Sequence, residues 1–231
     1  MLRTQMNLLE ISDHFIYNVV PENSITIDIG ANVGKFANAY SKIYNNKIYS
    51  VEPDPVSFNQ ITETLSGKKF NYAISNNEGF MPFYISTNSE ANSFNRKIAE
   101  QWGVEKRIDV ECISFSNFVK GHNISTDINI LKIDAEGSEI EIFASLKNEE
   151  LKSIAQITVE FHELLDKKLL IPSLAIFKRL NNLNFVPVIL SEGNLTSVLF
   201  LNREKVSLKN KFHFFHRLHK ILLQNSLRFY E

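Results

Sequence analysis

A chain of 231 residues with 44% hydrophobic and 22% charged residues can bury one large core, which excludes an intrinsically disordered protein. A formal net charge of −1 excludes a whole-molecule field that gathers polyanions, so no nucleic-acid partner is expected. The single cysteine, Cys112, excludes an internal disulfide framework and a cysteine zinc site, and no apolar run approaches the roughly 18 residues that a bilayer span requires.

Residues 1–17 carry Glu10 and Asp13 among their apolar positions, so no secretion signal is expected and the chain is read as cytoplasmic. Leu8, Leu9, Ser12, Phe15 and Ile16 fall at helical spacing and predict an opening helix that ends before Pro21. Residues 25–29 form a β-branched run broken by Gly30, and a second run follows at 47–51. Between them Phe36, Ala39, Tyr40 and Ile43 mark one helical face, giving a strand, helix, strand unit.

Helical spacing recurs at Phe58, Ile61 and Leu65, extended segments are predicted at 70–74 and 81–85, and the polar stretch 86–95 reads as a flexible loop. Runs 108–113 and 128–133 are predicted strands. The second is so continuously apolar that it must be covered on both faces, which makes it a central strand. Ile140, Phe143, Ala144 and Leu146 give another helical face. A strand at 154–161, a helix at 174–183 and runs at 185–190 and 197–201 complete the series, with Glu192, Gly193 and Asn194 as the last hairpin turn.

Strands alternating with helices predict an α/β fold with a mainly parallel sheet, to which the terminal hairpin adds one antiparallel strand at the edge. Residues 1–204 are read as this domain and 205–231 as a tail. The tail holds six basic residues against Glu231 alone, and Phe215, Leu218, Leu222 and Phe229 fit one helical face. Such a basic amphipathic segment can pack on the domain, bind a partner or touch an anionic membrane surface.

The first chemical signal is Asp28-Ile29-Gly30-Ala31-Asn32-Val33-Gly34, placed where the first strand meets its helix. Gly30 lets the backbone approach a ligand and Gly34 lets the helix start pack closely. Glu52 ends the second strand 24 positions after Asp28, where a carboxylate can accept ribose hydroxyls. No Lys-Ser or Lys-Thr pair follows the second glycine, and the spacing departs from the dinucleotide fingerprint. Asp28 would repel phosphate and attract the ammonium of an amino-acid-like cofactor.

Further along, Lys132 sits in an apolar strand and must be paired if buried. Glu136 and Glu139 suit the start of a helix through its dipole, a role that accounts for Glu139 and leaves Glu136 equally a candidate functional residue. Asp134 ends the fourth strand of the series, beside the crevice of such a fold. Glu160 and His162 end the next strand and share one face if that strand stays regular. These three are the candidate catalytic residues. Two carboxylates and an imidazole suit Mg²⁺ or Mn²⁺ only moderately, so His162 ranks as a general base above a divalent metal site. Phe94 and Trp102 flank the polar loop and could form an acceptor platform, with packing the favoured reading.

Four segments carry a resemblance: Ile27-Asp28-Ile29-Gly30-Ala31-Asn32-Val33-Gly34, Val51-Glu52-Pro53, Asn71-Tyr72-Ala73, and Leu131-Lys132-Ile133-Asp134-Ala135-Glu136-Gly137-Ser138-Glu139. Together they resemble the FkbM-type methyltransferases. The resemblance implies a Rossmann-like class I methyltransferase fold, with a seven-stranded, mostly parallel sheet, an antiparallel last strand and helices on both faces. It also implies S-adenosylmethionine bound across the first, second and fourth strands, and O-methylation of a small-molecule or glycan acceptor at a hydroxyl of a sugar, glycoconjugate or secondary metabolite. Carried over by position, Asp28, Gly30, Asn32 and Gly34 surround the methionine part, Glu52 meets the ribose, and Asn71 and Ala73 lie near the adenine. Two alternatives stay open at this point: a nucleotide-dependent oxidoreductase and a non-catalytic cofactor-binding module.

Overall fold

The computed structural model describes residues 7–62, 67–191 and 194–206. Residues 8–17 form no helix but an antiparallel hairpin of β1 (Leu8–Ile11) and β2 (His14–Tyr17), with Ile11 opposite His14. Ser12 and Asp13 between them take positive φ of 46° and 66°, the mirror-image turn whose twist suits a two-residue hairpin. Over so short a stretch the apolar positions fit either period, and tertiary contacts decide. The Gln156 side chain accepts from the Tyr17 amide at 2.7 Å and donates to the Tyr17 carbonyl at 3.1 Å, as another strand would.

Seven strands build the main sheet: β3 (Ile25–Ile29), β4 (Lys47–Val51), β5 (Gly67–Phe70), β9 (Ile128–Ile133), β10 (Gln156–Val159), β11 (Phe185–Ile189) and β12 (Val198–Asn202). Their order is β11-β12-β10-β9-β3-β4-β5, with every pair from β10 to β5 parallel. The continuously apolar β9 stands in the middle, as expected. The antiparallel last strand is not at the edge, because β12 lies between β10 and β11 and runs antiparallel to both. Proline explains the arrangement: Pro187 of β11 has no N–H to give to a second neighbour, so β11 takes the edge.

A smaller sheet is made by β6 (Ala73–Ile74), β7 (Gly79–Ser86) and β8 (Val104–Ile113). Helices cover both faces of the main sheet. On one face, α1 (Lys35–Ser41) buries Phe36 and Tyr40 with Ile48 and Ile130, under Ile11 and Ile16 of the hairpin. On the other face, Phe118 of α4 (Phe115–Gly121), Phe143 of α5 (Glu139–Ser145) and Phe177 of α7 (Leu170–Asn182) pack against β9, β10 and β12. The shorter α2 (Pro55–Gln60), α3 (Arg96–Glu100) and α6 (Asn148–Ser153) connect these parts.

The polar stretch 86–95 is hydrogen-bonded in place rather than an open loop. It holds a 3₁₀ turn, Ser89–Ala91, capped by Asn88. The Asn92 side chain accepts from the Ser86 amide at 2.8 Å and donates to Asp54 at 3.3 Å, and Ser93 Oγ donates to the Glu136 carbonyl at 2.5 Å. Leu65, Glu192, Gly193 and the tail beyond Val206 lie outside the described residues. No helix among the described residues is long and apolar enough to cross a membrane.

Candidate functional site

Parallel strands β4, β3, β9 and β10 end side by side, so the loops that follow them share one rim. The amides of Gly30 and Ala31 donate to the Val51 carbonyl at 3.0 and 3.1 Å, which ties the first loop to β4. Glu52 then bridges two loops. Its Oε2 accepts from the Asn32 amide at 2.7 Å and its Oε1 from the Asp54 amide at 2.8 Å. Burial pushes its carboxyl up to about 7, against the pull of those two amides. The Asn71 side chain donates to the carbonyls of Glu52 and Pro53 at 2.8 and 3.0 Å, so it shapes this rim from behind.

Asp28 and Lys132 are cross-strand neighbours on β3 and β9. Lys132 Nζ stands 3.1 Å from Asp28 Oδ1, donates to the Gly30 carbonyl at 2.6 Å and lies 3.6 Å from Asp134 Oδ2. Burial opposes the ammonium charge, but Asp28 and Asp134 outweigh it and raise the lysine above its usual range. The expectation that Lys132 must be paired is met. Asp28, expected beside the cofactor, is completely buried below the rim with its charge turned to Lys132.

Asp134 follows β9 and meets a residue that sequence reasoning missed. His14 Nε2, at the start of β2, lies 3.3 Å from Asp134 Oδ2. Burial works against the charge on Asp134, yet Lys132 and His14 outweigh it and hold the carboxyl well below the usual carboxylate range. Glu160 stands on the neighbouring loop, where burial and then the charge of Asp134 push its carboxyl up to about 7. His14 was legible only through the hairpin: Ser12-Asp13 is a turn-forming pair between short apolar runs.

His162 comes within 4.8 Å of Asp134 but is turned to a second pair of carboxylates. The strand β10 ends at Val159, so the two-residue alternation that would put Glu160 and His162 on one face is lost. Instead His162 is buried with Nδ1 at 3.0 Å from Glu139 and Nε2 at 3.2 Å from Glu136. Burial disfavours the imidazolium, but the two carboxylates raise its pKa well above the ordinary value. A ring that holds its proton between two carboxylates positions them and is poorly suited to act as a base. Glu139 also accepts from the amides of Ala135 and Gly137 at 3.2 and 3.0 Å, a structural role as expected.

The rim encloses a cleft of about 370 Å³. Of the residues nominated from sequence, Gly30, Asn32, Glu52, Ala73, Asp134 and Glu160 line it, while Asp28, Gly34, Asn71 and His162 do not. Tyr72, Phe83 and Phe94 add an aromatic side, with the Phe83 and Phe94 rings packed edge to face at 4.8 Å. Trp102 is half exposed and away from the cleft.

The methyltransferase FkbM domain family matches residues 28–187, from the end of β3 into β11. Methyltransferase sdnD of Sordaria araneosa is 24% identical over 197 residues, which cover 70% of this chain and 76% of that protein. Hexuronic acid methyltransferase AglP of Haloferax volcanii is 26% identical over 155 residues, 64% of this chain and 59% of the relative's length. The solved structure of methyltransferase FkbM from Methylobacillus flagellatus KT aligns with 80% of this chain and 45% of its own, at 12% identity and a TM-score of 0.48. With the matched span taking in the glycine turn, Glu52, Lys132, Asp134, Glu160 and His162, the chain belongs to the FkbM methyltransferase family.

Proposed function

We propose that this methyltransferase takes S-adenosylmethionine as its methyl donor and alkylates a hydroxyl of a sugar, glycoconjugate or secondary metabolite. The observation that carries the reading is Glu52, a carboxylate held on the cleft wall at the end of β4 by amides from two loops. The residues present fit the donor: a glycine turn with no side chain in the way, Glu52 for ribose hydroxyls, and Tyr72 and Ala73 as an apolar seat for adenine. Excess carboxylate on the wall suits a positively charged donor. The name of the Haloferax volcanii relative, a hexuronic acid methyltransferase, supports a sugar-like acceptor.

When bound, S-adenosylmethionine supplies an electrophilic methyl group on a sulfonium. The chain contributes position and charge. Lys132, steadied by Asp28, fixes the Gly30 carbonyl and so the shape of the turn. Asp134 and Glu160 face the acceptor side of the cleft. This carboxylate wall would take up the proton that the acceptor hydroxyl loses as the donor's methyl group replaces it and the sulfonium becomes a neutral thioether.

Calorimetry with S-adenosylhomocysteine tests the donor assignment. Wild-type protein is expected to bind it, and Glu52→Ala to weaken binding by on the order of 1 to 3 kcal/mol through lost charge-assisted hydrogen bonds. Folded wild-type protein that binds neither S-adenosylmethionine nor its demethylated product overturns the reading.

A further inference from the structure

We propose that His14, Asp134 and Glu160 form a binding site for one divalent cation of the Mn²⁺ or Mg²⁺ class on the wall of the cleft. Each offers one ligand atom, and the three atoms lie within 4.8 Å of one another. His14 Nε2 and Asp134 Oδ2 are 3.3 Å apart, close to the separation of about 3 Å between adjacent ligands of an octahedral ion with bonds of roughly 2.1 Å. The ligands come from three separate segments: the start of β2 and the loops after β9 and β10.

His14 is more than nine-tenths buried, with the Phe36 ring edge-on at 5.9 Å, so its imidazole is held with Nε2 toward the cleft carboxylates. Lys132 does not fill the place of the cation. Its nearer partners are the Gly30 carbonyl at 2.6 Å and Asp28 at 3.1 Å, with Asp134 at 3.6 Å. The Glu160 amide donates to the Ile133 carbonyl at 3.0 Å, but among the described residues its carboxylate has no hydrogen bond and no close ion pair, although it lines the cleft. Two carboxylates supply the oxygen ligands that Mg²⁺ and Mn²⁺ take while the imidazole tilts the site toward Mn²⁺ over Mg²⁺, and three protein ligands leave coordination positions open toward the cleft. Asp134, Glu136 and His162 also come within 4.8 Å of one another. There the ring is held at both edges, by Glu139 at 3.0 Å and by Glu136 at 3.2 Å, whereas among the described residues His14 meets a carboxylate through Nε2 alone.

The role of the ion, anchoring the acceptor oxygen beside the methyl donor, rests on the methyl-transfer reading; the site itself does not. Chelator-stripped full-length protein is titrated with Mn²⁺, and the fall of the free-ion electron paramagnetic resonance signal is followed. One saturable site per chain is expected. His14→Gln and Glu160→Gln should each weaken it by roughly tenfold or more while Glu136→Gln leaves it unchanged. Circular dichroism checks each fold; if His14→Gln unfolds, the partly exposed Glu160 carries the comparison. Absence of a saturable site in protein that binds S-adenosylhomocysteine overturns the cation site and leaves the donor reading standing. Mn²⁺ binding without S-adenosylhomocysteine binding does the reverse. Loss of Mn²⁺ in Glu136→Gln with retention in Glu160→Gln places the ion in the other cluster and also overturns the proposal.

Discussion

A Cβ atom on Gly30 would stand 1.7 Å from the carbonyl oxygen of Asp134, so the turn after β3 and the loop after β9 touch backbone to backbone. Gly30→Ala must therefore separate the two loops that form the cleft. It is expected to cost roughly 4 kcal/mol or more, in the range of severe overpacking. Gly79 supplies the comparison, since its φ of +99° is also unfavourable for an L residue but nothing lies within 4 Å of its Cβ position. Gly79→Ala should cost about 1 to 2 kcal/mol from backbone strain alone. Urea denaturation of both variants measures the difference, and equal costs would refute the close approach.

Removing Lys132 leaves Asp28 as a buried charge without its partner. Lys132→Met is expected to destabilise by about 3 to 5 kcal/mol, and adding Asp28→Asn should recover a large part of the loss. A double-mutant cycle by chemical denaturation gives the coupling directly. Independent, additive effects would mean that Asp28 does not depend on the ammonium 3.1 Å away.

The His162 clamp gives a pH dependence with a definite sign. Its folded pKa is raised well above 6.5, so its contribution to stability is fully present below that value and is lost as pH rises through the folded pKa. The stability gap between wild type and His162→Gln should be widest in mildly acidic solution and shrink on the alkaline side. Thermal melts over a pH series test this, and a gap that grows toward alkaline pH would show that the ring is neutral.

Glu52 works in a lower window. Its carboxyl is raised from 4.5 to about 7, so its contribution is fully present below about 4.5 and is lost as pH climbs toward 7, by roughly 3 kcal/mol in all. Glu52→Gln should accordingly gain on wild type across that range in denaturation experiments. Ribose hydroxyls donating to Glu52 would favour its charged form. Binding of S-adenosylhomocysteine near pH 7 is then expected to release protons, which shows as a calorimetric heat that depends on the ionisation enthalpy of the buffer. A buffer-independent heat would separate Glu52 from the ligand.

The sheet was readable because its strands are β-branched runs ended by glycine, proline or polar turns. The run 25–29 became β3, 47–51 became β4, and the continuously apolar β9 took the middle of the sheet. Glu52 was legible for the same reason, since it follows a recognisable strand end. What failed turned on contacts between distant segments. Leu9, Phe15 and Ile16 satisfy a helical period, but the Ser12-Asp13 turn and Gln156, 139 residues beyond Tyr17, settle them as a hairpin and bring His14 to Asp134. Asp28 was legible as a strand-end carboxylate, but its pairing with Lys132 was not, because the two meet only through the register of β3 and β9. Pro187 did carry a signal for the edge position of β11, through the amide it lacks.

The insertion of β12 between β10 and β11 also bears on assembly. Residues 185–189 precede 198–202 in the chain, yet β11 reaches the sheet only through β12, alone or as a preformed hairpin. Until β12 arrives, β10 presents an open parallel-sheet edge. That waiting edge is a surface on which another chain's strand could pair, so the final strand acts as the latch that ends the exposure.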